Sequence, residues 1–379
     1  MKIGIVAVLL LAALSNCVLA ADHGFQLVDL IKDIPVREKT ENLQFPVEDD
    51  KLRFFMIGDY GELDNYFAVR KVGELMNQLA KKEFFEYILT AGDNFYFTGI
   101  ENIHFRFKPW AISQQFKWSH IKHLPVYATL GNHDCESDFK NEILYHDYND
   151  QWNMPSDYYE FVLPMKDNPE VNFVNLMLNS CKLLCPDNKY DVKGYCNGMN
   201  VEPGSEEVKE HYRWLEEKLD YYNKLNTTAW LAVTFHHPPF LQSSMKEQLL
   251  PLIRKYGVDF IFVGHEHWSE YTNMDPDYKT RFPEEKPKIL KNCTDDTEIL
   301  VNTTREHTFK KGQTLHQFIS GNGGHTLRKI CPYMEQDGSV YFKNDGYYGI
   351  TTVEATSEKV TVTFHRGVED VVYKIHVES

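Results

Sequence analysis

Five short apolar runs in this 379-residue sequence each end at residues that can bind a metal ion. Asp59 and Asp93 follow the first two runs, and Asn132 and His133 follow the third. The fourth run ends at His236, and the fifth leads into a His-x-His pair. Oxygen and imidazole ligands of this kind suit zinc, iron or manganese. One histidine after a strand is usually structural, but five run ends that behave alike favour a metal site.

The runs themselves predict buried strands, because they are short and rich in β-branched and aromatic residues. Helical spacing of apolar residues separates them, at residues 69–79, 208–222 and 247–256. This alternation implies an α/β fold, in which ligands bind at the carboxyl ends of strands. Three later segments, 317–320, 349–355 and 359–365, predict further strands of antiparallel or mixed sheet. The five runs are residues 53–57, 87–91, 126–130, 230–235 and 258–263.

The composition excludes several classes of protein. Hydrophobic residues make up 42% of the chain and aromatic residues 14%, which excludes global disorder. The formal charge of −15 argues against general nucleic-acid binding and against adhesion to anionic membranes. A phosphate-containing substrate is compatible with this charge if a local metal attracts it.

The N-terminal segment predicts entry into the secretory pathway. One lysine precedes an apolar run at residues 3–14, and small residues before Ala21 resemble a cleavage site. We therefore expect a signal peptide at residues 1–20 and a single catalytic domain at 21–379. The polar, turn-rich stretch 275–311 is interpreted as a surface insertion within that domain.

Cysteines and glycosylation motifs agree with a secreted or lumenal protein. The six cysteines beyond the expected signal peptide indicate disulfides, although their pairing cannot be deduced from sequence. Three Asn-x-Ser/Thr motifs predict glycosylation at Asn226, Asn292 and Asn302. The cysteines are Cys135, Cys181, Cys185, Cys196, Cys293 and Cys331.

The motifs at the run ends resemble those of a known enzyme family. GNH followed by GHxH is similar to the metallophosphoesterase superfamily. GDNFY, with a tyrosine three residues after the aspartate, narrows the resemblance to purple acid phosphatases of the tartrate-resistant type. The resemblance covers roughly residues 54–363 apart from the expected insertion, and it implies a metallophosphoesterase-like β-sandwich of two mixed sheets flanked by helices. The strings, in order, are GDYG, GDNFY, GNHD, FHHP and GHEH.

The same resemblance implies a dinuclear centre of Fe(III) and a divalent metal, which would be Fe(II), Zn or Mn. In the His265-x-His267 pair, alternate residues of an extended segment project to the same side, as two ligands must. Of the adjacent His236 and His237, the family's His-x-Pro pattern favours His236 as the ligand, and His237 would line the pocket or pack beneath it. The implied ligands are Asp59, Tyr96 and His267 for Fe(III), Asn132, His236 and His265 for the divalent metal, and Asp93 for both.

The implied activity is hydrolysis of phosphomonoesters by attack of a metal-bound hydroxide, at acidic pH. Asn132 and His133 would face the substrate, with His133 as a candidate acid for the leaving group, and His325 beside a glycine-rich turn is a further candidate contact. Cys135 stands where mammalian members carry another histidine, and residues 241–245 lack a second one. The leaving-group acid therefore stays open, as does a disulfide role for Cys135.

The expected partner is a small phosphomonoester or a phosphoprotein, bound by a monomeric chain that inserts in no membrane and binds no nucleic acid. Two alternatives compete with a secreted or lumenal phosphatase. A non-enzymatic binding or anchoring protein of the same fold should lack several ligands, whereas all seven are present here. A phosphodiesterase or nuclease is disfavoured by Tyr96 and by the acidic composition.

Overall fold

The computed structural model describes residues 45–62, 65–100, 115–184, 202, 204–239, 245–274, 296–330 and 339–379. These residues form two eight-stranded sheets of mixed direction. The expected signal peptide, Asn292 and four of the cysteines (Cys185, Cys196, Cys293 and Cys331) lie outside the described residues.

The first sheet has a parallel centre. Strands β1 to β4 run parallel, and β14 pairs with β1 in the antiparallel direction. The spatial order is β11-β16-β15-β14-β1-β2-β3-β4. Its strands are β1 (Leu52–Ile57), β2 (Tyr87–Thr90), β3 (Val126–Tyr127), β4 (Trp152–Asn153), β11 (Glu306–Lys310), β14 (Ile350–Ala355), β15 (Lys359–His365) and β16 (Val371–Glu378).

The second sheet repeats this arrangement. Strands β6, β7, β8 and β12 run parallel, and β5 and β9 pair in the antiparallel direction on either side. The spatial order is β10-β13-β9-β12-β8-β7-β6-β5. Its strands are β5 (Tyr159–Pro164), β6 (Asn172–Met177), β7 (Thr228–Thr234), β8 (Phe260–Val263), β9 (Ser269–Met274), β10 (Glu298–Leu300), β12 (Leu315–Ser320) and β13 (Ser339–Asn344).

Short and long helices connect the strands. A π-helical turn at Met245–Leu249 leads directly into the helix Leu250–Lys255. None of the described helices is long and apolar enough to cross a membrane. The α-helices are α1 (Tyr66–Ala80), α2 (Asn132–Cys135), α3 (Lys140–Leu144), α4 (Ser180–Leu183), α5 (Glu206–Lys224) and α6 (Leu250–Lys255). Two 3-10 turns lie at Tyr145–Tyr148 and Val301–Thr303.

The two sheets pack face to face through aromatic side chains. The ring of Phe54 on β1 lies 5.6 Å from that of Phe173 on β6 and 6.0 Å from that of Phe262 on β8. On the outer face of the second sheet, Val233 and Ile261 belong to a separate apolar cluster with residues of α5 and α6. Burying each such side chain stabilises the fold by roughly 1.5–3 kcal/mol. Both faces of the central strands are therefore apolar, which explains their uninterrupted hydrophobic runs.

The expectation of two mixed sheets flanked by helices is confirmed. The five apolar runs correspond to β1, β2, β3, β7 and β8, although β3 keeps only two residues in the ladder. Apart from the three later segments, sequence reasoning did not predict the remaining strands; in β6, for example, Asn172 and Asn175 interrupt the apolar pattern. Residues 296–311 of the expected insertion include β10 and β11, the edge strands of the two sheets. Residues 275–295 of the expected insertion lie outside the described residues.

Candidate metal centre

Three residues after the central strands have left-handed backbone conformations. Asp59 follows β1 with φ of 57°, Asp93 follows β2 with φ of 53°, and His265 follows β8 with φ of 70°. Residues other than glycine rarely adopt this backbone conformation, so the surrounding structure must hold these three residues in it. The neighbouring glycines leave the necessary room: a Cβ on Gly264 would lie 2.6 Å from Asp59 Oδ2, and one on Gly131 would overlap the Asp93 carboxylate. Close packing therefore explains why glycine precedes the polar residue in the Gly-Asp, Gly-Asn and Gly-His motifs.

A buried phenol links the two aspartates. The Tyr96 hydroxyl donates to Asp93 Oδ2 at 2.8 Å and lies 3.3 Å from Asp59 Oδ1. Burial raises the pKa of Tyr96 well above its usual range, and the charges of Asp93 and Asp59 add to this. Tyr96 thus keeps its proton unless positive charge binds between these oxygens. A cation would supply that charge.

His236 faces the same oxygens from the second sheet. Its Nδ1 lies 2.7 Å from the carbonyl oxygen of Ala91; when Nδ1 donates there, Nε2 faces Asn132 Oδ1 at 3.1 Å and Asp93 Oδ1 at 3.4 Å. Burial acts to lower the pKa of His236, but the Asp93 carboxylate, with Asp59, raises it to about 9. A metal at Nε2 would displace that proton, so metal affinity should rise with pH.

His265 completes a tight group of ligand atoms. Its Nδ1 lies 2.9 Å from Asn132 Oδ1 and 3.3 Å from His236 Nε2. Its backbone N–H donates to Asp59 Oδ2 at 2.8 Å, which ties the second sheet to the first. Two imidazole nitrogens and an amide oxygen thus converge on one point, the arrangement that a bound cation satisfies.

His267 carries a buried nitrogen that the protein itself leaves unsatisfied. Its Nδ1 lies 2.8 Å from the carbonyl oxygen of Thr326, which leaves Nε2 facing Asp59 Oδ1 at 3.3 Å. Within the described part of the chain, this Nε2 has no hydrogen-bond partner. This orphaned nitrogen faces the Asp59 carboxylate, and a cation bound between them would satisfy both groups. The side chains present therefore fit a metal centre.

His237 lies beside two other histidines of the second-sheet loops. Ligand atoms of His236, His237 and His265 lie within 4.8 Å of one another, as do those of Asp59, Asp93 and His236. The Nδ1 of His237 is 2.8 Å from Ser180 Oγ, and burial, with the neighbouring His236, lowers its pKa well below the usual range. Only His236 belongs to both groups.

Two of the three expected substrate residues, His133 and His325, lie on either side of Tyr96. The ring of Tyr96 lies between those of His133 and His325, at 4.4 Å and 4.2 Å. His133 donates its backbone N–H to Asp93 Oδ1 at 3.0 Å, and its Nδ1 lies 2.5 Å from the carbonyl oxygen of Phe97. Burial lowers the pKa of His325, and the adjacent His267 lowers it further. The Tyr96 phenol is thus flanked by two partly exposed imidazoles.

A buried pair of acids lies beneath the centre, and sequence reasoning missed it. Asp134 accepts backbone N–H groups of Asn94 and Gly131, and the Asn94 amide donates to both Asp134 and Glu142. Burial raises the pKa of Asp134 to about 6, with a further contribution from Asp93, and raises that of Glu142 well above its usual range. The pair holds the GDNFY and GNHD loops together. Only the aspartate of GNHD signalled it in the sequence.

Cys135 forms a disulfide with Cys181. The sequence had left open a disulfide role for Cys135 and had not indicated its partner. Cys135 closes α2, and Cys181 lies in α4, after β6 of the other sheet. Of the expected glycosylation sites, Asn226 is exposed in the turn before β7, and Asn302 lies in the 3-10 turn Val301–Thr303. Glycosylation itself stays a prediction.

Comparison with known proteins adds relatives to this geometry. A family model described as calcineurin-like phosphoesterase matches residues 52–269, a range that includes all seven expected ligands. Human tartrate-resistant acid phosphatase type 5 is 27% identical over 237 residues, covering 58% of this chain and 68% of the relative. Purple acid phosphatase 7 of Arabidopsis thaliana is 26% identical over 251 residues, covering 60% of this chain and 69% of the relative. The resemblance to purple acid phosphatases is confirmed.

Solved structures show the same architecture. GAP50, described as the anchor in the inner membrane complex of Plasmodium, matches with a TM-score of 0.59 at 14% identity, covering 86% of this chain and 88% of that one. Purple acid phosphatase PPD1 from yellow lupin (Lupinus luteus) seeds matches with a TM-score of 0.51 at 15% identity, covering 88% of this chain and 55% of that one. At these identities the likeness concerns the fold alone.

Proposed function

The chain belongs to the calcineurin-like phosphoesterase family, and we propose that it is an acid phosphatase that hydrolyses phosphomonoesters at a dinuclear metal centre. The single observation that carries the proposal is the convergence of buried oxygen and imidazole ligands, including the orphaned Nε2 of His267. Relatives named as acid phosphatases support the same reaction class.

The proposed ligands divide between an Fe(III) and a divalent Fe, Zn or Mn ion. A phenolate is a strong donor to Fe(III), and its position against two carboxylates supports a highly charged metal on that side. Metals held there supply Lewis-acid polarisation of the phosphoryl oxygens and a nucleophile at low pH. Asp59, Tyr96 and His267 would hold Fe(III), Asn132, His236 and His265 the divalent metal, and Asp93 both.

Residues on the open side would bind the substrate and move a proton. The Asn132 side chain directs Oδ1 toward His236 and His265, so its amide N–H₂ is left to donate to a phosphoryl oxygen. The contact with Phe97 O fixes the Nδ1 proton of His133, so Nε2 is the atom that would protonate the departing alcohol. His325, across Tyr96 from His133, would contact the same phosphate.

We further propose a secreted or lumenal site of action. The disulfide between Cys135 and Cys181 supports an oxidising compartment. The apolar segment at residues 3–14 supports a signal peptide. An acidic compartment would suit the reaction, because Fe(III) acidifies water more strongly than a divalent ion does.

The direct test is hydrolysis of an aryl phosphate at pH 5 by purified protein, with metal content measured on the same sample. We expect iron in the protein, visible colour, and hydrolysis that a chelator abolishes and added metal restores. A His133→Ala variant should keep its metals and lose activity most strongly toward esters with poor leaving groups. Metal-loaded protein that hydrolyses no monoester would overturn the proposal and favour a binding role, and preferential cleavage of a diester would favour a phosphodiesterase.

A further inference from the structure

The metal centre is divided between the two sheets. Asn132 follows β3 of the first sheet, and His236 follows β7 of the second. Asn132 Oδ1 and His236 Nε2 nevertheless lie only 3.1 Å apart. Ladder hydrogen bonds join strands within a sheet and not between sheets. The spacing of these two ligands therefore depends on contacts between the loops that follow the strands.

One covalent bond crosses between the sheets at this edge. Cys135 lies three residues after Asn132, and Cys181 lies in α4, which follows β6 of the second sheet. Both cysteines are fully buried, with 1% and 0% of their surface exposed. The bond closes a loop of 46 residues, so it brings together segments that the chain alone would not hold in place.

Ser180, the residue before Cys181, carries this link to the histidines. Its hydroxyl oxygen accepts the backbone N–H groups of His236 and His237, each at 3.3 Å, and lies 2.8 Å from His237 Nδ1. Ser180 is fully buried, so solvent cannot replace these contacts. A continuous path of bonds thus runs from Asn132 through the disulfide and Ser180 to the backbone of His236.

A hydrogen bond beside the disulfide joins the same two segments. Thr129 Oγ1 donates to the carbonyl oxygen of Leu178 at 2.6 Å, between the end of β3 and the start of α4. Because the disulfide and this bond act at neighbouring points, they fix both the distance and the direction between the loops. Ser180 is the residue that extends the disulfide's connection to the histidine backbone.

We propose that the Cys135–Cys181 disulfide is a positioning cross-link of the metal centre, which holds Asn132 of one sheet at ligand distance from His236 of the other. The inference rests on the proposed function only in taking these residues as metal ligands. Groups that orient ligands typically change metal affinity or activity by 10–100-fold when they are removed. A disulfide that only stabilises the fold would leave metal affinity unchanged.

The test is calorimetric titration of metal-stripped protein with Zn²⁺, for the wild type and for a Cys135→Ala/Cys181→Ala double variant, well below each melting temperature. We expect the double variant to bind the ion held by Asn132 and His236 at least about tenfold more weakly. Trp230→Phe is the matched control, because it removes another contact between the sheets, the bond from Trp230 Nε1 to Thr356 O, away from the centre. The control should lose thermal stability and keep its Zn²⁺ affinity.

Ser180→Ala provides a second variant that keeps the disulfide and breaks the path to the histidines. It should weaken binding of the Zn²⁺ ion held by Asn132 and His236. At saturating metal, kcat should return toward the wild-type value. If either folded variant binds Zn²⁺ as tightly as the wild type, the proposal is wrong. The titration requires no catalysis, so protein that binds Zn²⁺ but hydrolyses no ester would refute the proposed function and leave this test intact.

Discussion

The two sheets contribute different chemistry to one centre. Among the proposed ligands, those in the loops of the first sheet are oxygen donors and include both carboxylates, and those in the loops of the second sheet are imidazole nitrogens. In the proposed assignment neither half is complete alone, because each metal takes ligands from both sheets. The oxygen half comprises Asp59, Asp93, Tyr96 and Asn132, and the nitrogen half His236, His265 and His267.

The halves also differ in what holds them. In the oxygen half, the buried Asp134 and Glu142 bind the loops from below through Asn94. In the nitrogen half, carbonyl oxygens lie at the Nδ1 atoms of His236 and His267, and each leaves its Nε2 facing the oxygens. The centre is thus assembled where the ends of the two sheets meet, so substitutions at their junction should have the largest effects.

Asp93 is the proposed ligand of both metals, so Asp93→Asn should have the largest effect. The substitution keeps an oxygen for the His133 N–H but removes the charge that faces His236 Nε2 at 3.4 Å. We expect loss of at least one metal per chain and more than a hundredfold loss of activity, above the range for groups that only orient ligands. Metal analysis and kinetics measure this, with the exposed Asp220→Asn as control. Two retained metals and full activity would remove Asp93 from the bridge.

The adjacent histidines give a sharper test of the nitrogen half. His236→Asn should reduce metal affinity by more than tenfold, whereas His237→Asn should change it much less, because only His236 Nε2 faces Asn132 and Asp93. Titration of both stripped variants with Zn²⁺ measures the difference. The reverse order would make His237 the ligand and would correct the assignment taken from the His-x-Pro pattern.

Tyr96→Phe tests the identity of the metal on the oxygen side. The change removes the phenol that lies against Asp93 and Asp59 but keeps the aromatic packing. We expect visible absorbance to disappear while iron is largely retained, and activity to fall roughly tenfold, the equivalent of one hydrogen bond to a charged group. Absorbance spectra with iron analysis check this. Undiminished colour would show that Tyr96 is not the chromophore.

The smallest effect on activity is expected at the opposite end of the second sheet. Asp259 precedes β8 there, and burial raises its pKa to about 6 although Lys311 lies 3.6 Å away. The unfolded carboxyl ionises near pH 3.9, so raising the pH from 4 to 6 penalises the folded state, and the penalty is complete above pH 6.

Asp259→Asn should remove that penalty while leaving an oxygen to accept the Leu231 N–H. The stability difference between variant and wild type should shift in favour of the variant by up to about 3 kcal/mol between pH 4 and pH 7. Activity should not change, because the residue lies at the other end of β8 from His265. Denaturant titrations at the two pH values measure the shift. A constant difference would show that Asp259 ionises normally.

Sequence reasoning found the parts of this molecule that are local in the chain. Each ligand follows a strand within a few residues, and glycines such as Gly264 mark where the backbone must pass close to a carboxylate. The structure brings together the residues so identified. The interrupted β6 was not found, because its two asparagines break the apolar pattern although the strand is mostly buried.

What sequence reasoning could not find depends on distant residues. Glu142 lies beside Asp134 only because α3 folds beneath the GNHD loop, and a lone glutamate carries no sign of burial. Ser180 and Cys181 meet their partners across 56 and 46 residues. No periodicity or motif encodes such contacts, which is why sequence reasoning missed the support beneath the proposed ligands.

The most direct test of the central claim is anomalous diffraction from crystals of the metal-loaded protein. The account predicts two metal peaks, one among Asp59, Tyr96 and His267 and one among Asn132, His236 and His265, with Asp93 contacting both. A single peak held by His236, His237 and His265, or no bound metal under conditions that support hydrolysis, would contradict it.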